Sequence, residues 1–289
     1  MNFLENIFSF WQVNLFLYFV TSVIFMQSYK TTVKDANHKG VTAIILQIVA
    51  SASVLVLVPF FAFKIPADWK LYALMILASV FYALNDRMQV SVRKHLEVSV
   101  YSIVGQLSKV FLVVYGILIF HEPFIWNKIF GGLIILAGNV FLFYKKGKFR
   151  FNKYVLMSFL ASFLMATALI IDVDISKHFN FPFYIMLTLL IPAVIIFLFE
   201  KCSVGDIVKE FNSQKRNQYL ITGVSWGFGI FFTIRALQTS EVIFMAPLLA
   251  ISVLLNVAIA SIIHKEKDKL FKKIIAAILV IIGVYFVSM

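Results

Sequence analysis

Ten long apolar blocks separated by short links dominate this sequence, at roughly 9–29, 41–63, 70–90, 97–120, 126–144, 153–173, 180–200, 219–238, 241–263 and 271–288. A run of about 18 or more apolar residues with few charges reads as a membrane-spanning helix. The reason is that hydrocarbon offers backbone N–H and C=O groups no outside partner, so a helix must satisfy them internally. Hydrophobic residues are 61% of the 289 and charged residues 14%, too few charges to coat a soluble protein of this length. The expected fold class is all-α integral membrane, with ten transmembrane helices. No polar stretch is long enough to fold alone. The longest link, KCSVGDIVKEFNSQKRNQ, lies between the seventh and eighth blocks.

The net charge of +12 would point to nucleic acid in a soluble chain. Here nearly all lysine and arginine lies between apolar blocks, so the expected partner is the lipid bilayer with its anionic headgroups, and no nucleic acid. The opening MNFLENIF carries Glu5 and no basic residue before its apolar run, unlike a cleaved leader. The single Cys202 has no intramolecular partner, and the five histidines show no metal-ligand spacing. Without a phosphate-loop pattern, a zinc-protease motif or a nucleophile triad, neither cofactor, metal nor enzymatic activity is expected. The one hint of a lipid-modifying enzyme is Asp172 and Asp174 with His178 at the end of the sixth block, which reads as a solvated helix end.

The chain repeats itself. LEVSVYSIVGQLSKVFLVVYGILIFHE aligns with SEVIFMAPLLAISVLLNVAIASIIHKE at an offset of 144, placing Glu97 on Glu241 and Glu122 on Glu266. Each second glutamate precedes a helix bearing a glycine, Gly138 or Gly283. The offset is half the chain, which predicts two five-helix repeats, 1–146 and 147–289. A five-helix unit that crosses the membrane an odd number of times is duplicated in inverted orientation, and inverted repeats frame a central site in transporters. Charge agrees with inversion. The odd-numbered links hold 20 of the 26 Lys and Arg and the even-numbered links 5; Lys109 is the remaining one. HEPFIWNK has one lysine where its counterpart HKEKDKLFKK has five. The positive-inside rule puts the basic links in the cytoplasm and both termini outside.

With the repeat in view, the sequence resembles the drug/metabolite transporter superfamily, specifically its EamA-type ten-helix carriers. The resemblance rests on LIFHEPF…GGLIILAGN, on SIIHKEK…AAILVIIGV and on IRALQTSEVIFMAPLLA. It covers essentially the whole chain. It implies a secondary transporter of a small polar metabolite working by alternating access around a site between the repeats, in the plasma membrane. The superfamily commonly has cytoplasmic termini, opposite to the charge count. FYALNDRMQVSVRKHLEVSVYSIVGQLSKV further resembles nucleotide-sugar transporters at Tyr82, Ala83, Gln89, Tyr101, Gln106 and Leu107. Ser108 stands where those carriers have lysine, with Lys109 one position late. This resemblance implies exchange of nucleotide sugars or other organic anions as an alternative.

Lys109 sits near the middle of the fourth block. A charge there costs about 2.5–3.5 kcal/mol on insertion scales, and such residues by default pair or face a pathway. Tyr101, Gly105, Ser108, Leu112 and Tyr115 share one helical face, with Ser102, Gln106 and Lys109 beside it. On the third block Tyr82, Asn85, Asp86 and Gln89 cluster, and Asp86 reads as the deepest carboxylate of the fourteen. Lys109 is expected to pair with Asp86 or to bind an anionic group of the small-molecule substrate. The candidate substrate-binding residues are Lys109, Asp86, Tyr101, Gln106, Tyr82, Asn14, Trp226 and Asn256. Packing through small residues is the competing reading for Gly105, Ser108 and the second-half residues. The first block carries Asn14 and no membrane-embedded acid, whereas small multidrug exporters of the resembled superfamily rely on an acid in their first helix. A proton/cation-drug antiporter of that type is therefore disfavoured.

Overall fold

The computed structural model describes the chain apart from residues 1–2, 35–38, 97, 145–151, 201, 214–215 and 264–269. Among the described residues all regular structure is helical. The helices are α1 (Phe3–Ile7), α2 (Trp11–Lys34), α3 (Lys39–Leu55), α4 (Trp69–His95), α5 (Val98–Gly105), α6 (Leu107–Ile119), α7 (Trp126–Phe143), α8 (Lys153–Ile175), α9 (Phe181–Phe199), α10 (Val204–Phe211), α11 (Arg216–Gln238), α12 (Val242–Leu249), α13 (Ile251–Ile263) and α14 (Leu270–Ser288). Five stretches are long and apolar enough to cross a bilayer: Gly40–Phe60, Lys153–His178, Phe181–Phe199, Arg216–Gln238 and Val242–Ile259. Shorter apolar helices occupy Ile103–Ile119, Trp126–Phe141 and Ile274–Ser288. The chain is an integral, multi-pass membrane protein. Helices α2 and α4 fall outside the five because polar residues dilute them, Gln12, Asn14 and Gln27 in one, Asn85, Asp86, Arg87 and Gln89 in the other.

Two blocks expected as single helices are each broken in two. The fourth is α5 and α6, joined at Gln106; the ninth is α12 and α13, joined at Ala250. Both joints tighten to i→i−3 bonding. The Gln106 N–H donates to Ile103 O at 3.1 Å and the Lys109 N–H to Gln106 O at 2.9 Å; Ala250 donates to Pro247 O at 3.0 Å and Val253 to Ala250 O at 3.2 Å. Pro247 lacks the N–H that would continue the α12 ladder, and Gly105, a weak helix former, precedes the other joint. The joints are 144 residues apart, and every bound of α5 and α6 maps onto α12 and α13 at that same offset.

Contacts divide the chain into two compact units, Met1–Ala83 with Ile171–Thr239, and Leu84–Ile170 with Ser240–Met289. Each unit draws on both halves of the sequence, and the division falls inside α4 and α8. In the first unit α2 packs along α11, and α3 packs against α9 and α11. Helices α3 and α11 come close at Gly227, where an added Cβ would lie 2.5 Å from Ala50 O. Phe8, Phe61, Phe181 and Phe231 form an aromatic cluster, with Phe231 in ring contact with each of the others. The amphipathic α10 lays Ile207 and Phe211 against Val41, Ile45, Leu46 and Tyr219. In the second unit α7 packs along α14, and α12 against α6 and α7. Here Gly131 and Gly283 face each other's backbone carbonyl, leaving no room for a methyl on either.

Candidate functional site

In the first unit, polar chemistry gathers at the C-terminal turns of α8. Ala168, Leu169, Asp172 and Ser176 recur at helical spacing and all are buried, so Asp172 lies on the face that packs inward. Asp174, two residues on and about 200° around the helix, is exposed, as is His178. The expectation of a solvated acidic end is therefore corrected: Asp172 is fully buried. It also displaces Asp86, which is only half-buried, as the deepest carboxylate of the two.

Two phenols meet the Asp172 carboxylate. Tyr82 on α4 donates to Oδ2 at 2.8 Å and Tyr184 on α9 donates to Oδ1 at 2.5 Å. A carboxylate removed from water without donors is very costly, and charge-assisted bonds offset part of that cost. Helix α9 delivers Tyr184 because Asn180 caps it. The Asn180 side chain accepts from the Phe183 N–H at 3.0 Å, while its Nδ2 donates to Val58 O, Phe61 O and Ala62 O at 3.1–3.2 Å. From α11, Gln238 Nε2 donates to Ser176 Oγ at 2.7 Å and to Val173 O at 3.2 Å, and Ser176 Oγ donates to Asp172 O. Arg235 joins this network through Gln238 Oε1 at 3.4 Å, and its Nε donates to Phe8 O at 3.0 Å.

The second unit holds Lys109 and Asp86. Lys109 lies in the first turn of α6, directly after the joint, and is half-buried. Among the described residues it forms no ion pair. Asp86 instead accepts from Asn85 Nδ2 at 3.0 Å, and Gln89 donates to Asn85 Oδ1 at 3.3 Å, so the Lys109–Asp86 pairing is not formed in this structure. Tyr115 and Thr167 share a hydrogen bond of 2.8 Å between α6 and α8. Across the sequence repeat, the Glu122 carboxylate caps α12, accepting from the Val242 N–H at 2.6 Å and the Ile243 N–H at 2.7 Å. Lys128 pairs with Glu241 at the same helix start. Glu122 thus fastens the start of a helix 120 residues further along the chain. Glu97 and Glu266, the other two glutamates of the repeat alignment, lie outside the described residues.

The remaining candidates scatter. Asn14 is buried and spends its Nδ2 on Phe8 O at 2.9 Å and Phe10 O at 3.0 Å, tying the chain start to α2. Trp226 packs on the Phe25 ring at 6.0 Å. Asn256 bonds back to Ser252 O of its own helix at 2.8 Å. Gln106 is the joint itself. Tyr101 lies on α5, with its side chain outside the described residues. Asn14, Tyr82 and Trp226 belong to the first unit; Asp86, Tyr101, Gln106, Lys109 and Asn256 belong to the second. Sequence reading missed Asp172 and Tyr184. The signal that could have found Asp172 was its i+4 spacing from Ala168 and to Ser176 within an apolar stripe.

A chain of apolar helices that holds a buried carboxylate at Asp172 and a half-buried lysine at Lys109 is a polytopic membrane protein with two ionisable groups that call for a functional account. Residues 152–289 match the model of the EamA-like transporter family. Over its second half the chain is thus similar to that family, in keeping with the drug/metabolite transporter superfamily, and the function such a likeness suggests is membrane transport. No curated protein matches the chain. A protein of known crystal structure is similar in fold, with a TM-score of 0.70, 14% sequence identity, and coverage of 96% of this chain and 95% of that one. At that identity the likeness speaks to the fold alone.

Proposed function

We propose that the protein is a secondary transporter of a small polar metabolite, working by alternating access in the plasma membrane. Its ten transmembrane helices form two inverted five-helix repeats, 1–146 and 147–289, with the cargo site between them. The observation that carries the reading is the pair of helix joints at Gln106 and Ala250, one per repeat at the 144-residue offset. Interrupted helices at corresponding positions of two halves mark the substrate region in transporters built this way. Irregular backbone inside a membrane is tolerated where it is covered by protein or lines a watered cavity. The interfacial cluster a lipid-modifying enzyme would need is not assembled, since Asp172 turns inward while Asp174 and His178 face out.

A second reading, exchange of nucleotide sugars or other organic anions, draws on one further observation. Lys109 stands beside the Gln106 joint without an ion-pair partner among the described residues, and a half-buried cation so placed suits an anionic cargo. Reconstitution of the purified protein in liposomes with a panel of amino acids, sugars, organic acids and nucleotide sugars tests both. Flux of neutral compounds supports the first reading and flux confined to anions the second. No flux for any compound, together with turnover of the vesicle lipid, overturns both.

A further inference from the structure

Asp172 is the chemical outlier of the first unit. The inference drawn from it rests on the transporter reading above and adds what drives the carrier: we propose that Asp172 is a proton-binding site coupling transport to a pH gradient, with Tyr82 and Tyr184 as its positioning hydroxyls. The geometry carries this. The carboxylate is fully buried inside a membrane-crossing helix, where an ionisable group is costly to keep without a use. Both its oxygens are met by phenols and by no cation among the described residues. A structural carboxylate at such a place is expected to hold an arginine or lysine, because neutral donors offset less of the desolvation of a full negative charge.

The groups facing it from each neighbouring element are few. Helix α4 presents Tyr82 and α9 presents Tyr184. Helix α11 presents Gln238, with Arg235 behind it at 3.4 Å. On its own helix Ser176 bonds the Asp172 backbone carbonyl, not the carboxylate, and Asp174, Lys177 and His178 are exposed. The proton balance is simple. With the carboxylate ionised, both phenols donate to it. When it takes up a proton, one Oδ becomes an O–H donor, and one phenol must accept in place of donating, turning its own hydrogen elsewhere. Tyr184 is fully buried, so no solvent reaches its hydroxyl to take up a redirected hydrogen. Tyr82 is half-buried and is the hydroxyl able to turn, so the proton is exchanged on the Tyr82 side. Protonation thus changes a bond between α4 and α8.

Two measurements test this separately. The first needs no substrate: infrared difference spectra of the full chain in phosphatidylcholine–phosphatidylglycerol vesicles, stepped from alkaline to acidic buffer. The wild type should gain a protonated-carboxyl carbonyl band that Asp172→Asn lacks, and Tyr82→Phe should move that band's frequency by removing one hydrogen bond. Identical spectra for wild type and Asp172→Asn overturn the proton site. If Asp172→Asn fails to fold, a band unmoved by both Tyr82→Phe and Tyr184→Phe overturns it equally. The second uses the same vesicles with the compound panel and an imposed pH gradient. One proton per cycle supports up to about tenfold accumulation per pH unit, abolished in Asp172→Asn. Wild-type flux indifferent to the gradient overturns the coupling while leaving the transporter reading intact. Absence of flux overturns that reading, and the infrared result still decides the proton site.

Discussion

Gly131 on α7 and Gly283 on α14 make a contact whose alteration has a calculable consequence. A Cβ on Gly131 would lie 2.6 Å from Gly283 O and 2.7 Å from Val287 N; a Cβ on Gly283 would lie 2.7 Å from Gly131 O and 2.6 Å from Ile135 Cγ1. Carbon contacts relax at about 3.5–4.0 Å, so either methyl forces the helices apart by roughly 0.5–1 Å. The obstructing atoms are mostly backbone and cannot rotate away. Overpacking of this kind costs about 1–3 kcal/mol, so Gly131→Ala and Gly283→Ala should each lose that much stability. Both clashes are relieved by the same separation, so the double variant should cost clearly less than the sum, with a coupling of about 1 kcal/mol or more. Gly105→Ala is the control, because nothing lies within 4 Å of its added Cβ. Thermal unfolding of the four variants in mild detergent, followed by tryptophan fluorescence, measures all of this. Unchanged midpoints for the single variants, or strict additivity in the double, would refute the helix-crossing argument.

Three further outcomes are expected. Glu122→Gln keeps one acceptor for the two N–H groups of α12 and loses the charge that complements the helix start, which should cost about 1–2 kcal/mol; thermal unfolding checks it, and an unchanged midpoint contradicts the cap. Burial, reinforced by the Glu200 and Asp206 carboxylates, pushes the Cys202 thiol above its ordinary range, so the thiolate is scarcer at a given pH. Maleimide labelling of this sole cysteine should be slow at neutral pH, quicken as the pH rises well into the alkaline range, and speed up at fixed pH in Glu200→Gln; a rate independent of both is the contrary result. Lys109→Ala should reduce flux of an anionic compound by about tenfold or more at normal abundance and little-changed thermal stability, since no ion pair is broken among the described residues. Unchanged flux at normal abundance refutes a cargo role.

The all-helical, multi-pass character was legible because long apolar runs admit few other structures. The 144-residue offset was legible from the glutamate spacings and reappears in the bounds of α5, α6, α12 and α13. The joints themselves were not, because an apolar run reads the same whether its helix is continuous or changes to i→i−3 bonding for one turn. Pro247 and Gly105 were visible in the sequence, but neither must break a helix. Asp172 was misread because its neighbours Asp174 and His178 look like a helix end. Only the side-chain direction, inward at 172 and outward at 174, separates them, and tertiary packing sets it. The expected Lys109–Asp86 pair is not formed, and Asp86 accepts from the adjacent Asn85, a local contact that charge and depth along the helices do not foretell. Glu122 lay within view as one of a matched pair, but its cap on α12 joins residues 120 positions apart.

Trans-stimulation tests the claim of a carrier most directly. Vesicles of the reconstituted protein are loaded with unlabelled compound, and uptake of the same labelled compound is followed from outside. Alternating access predicts uptake faster than into empty vesicles, because each return of the loaded site carries cargo. Uptake at the same rate with and without internal compound, or none above protein-free vesicles, would contradict it.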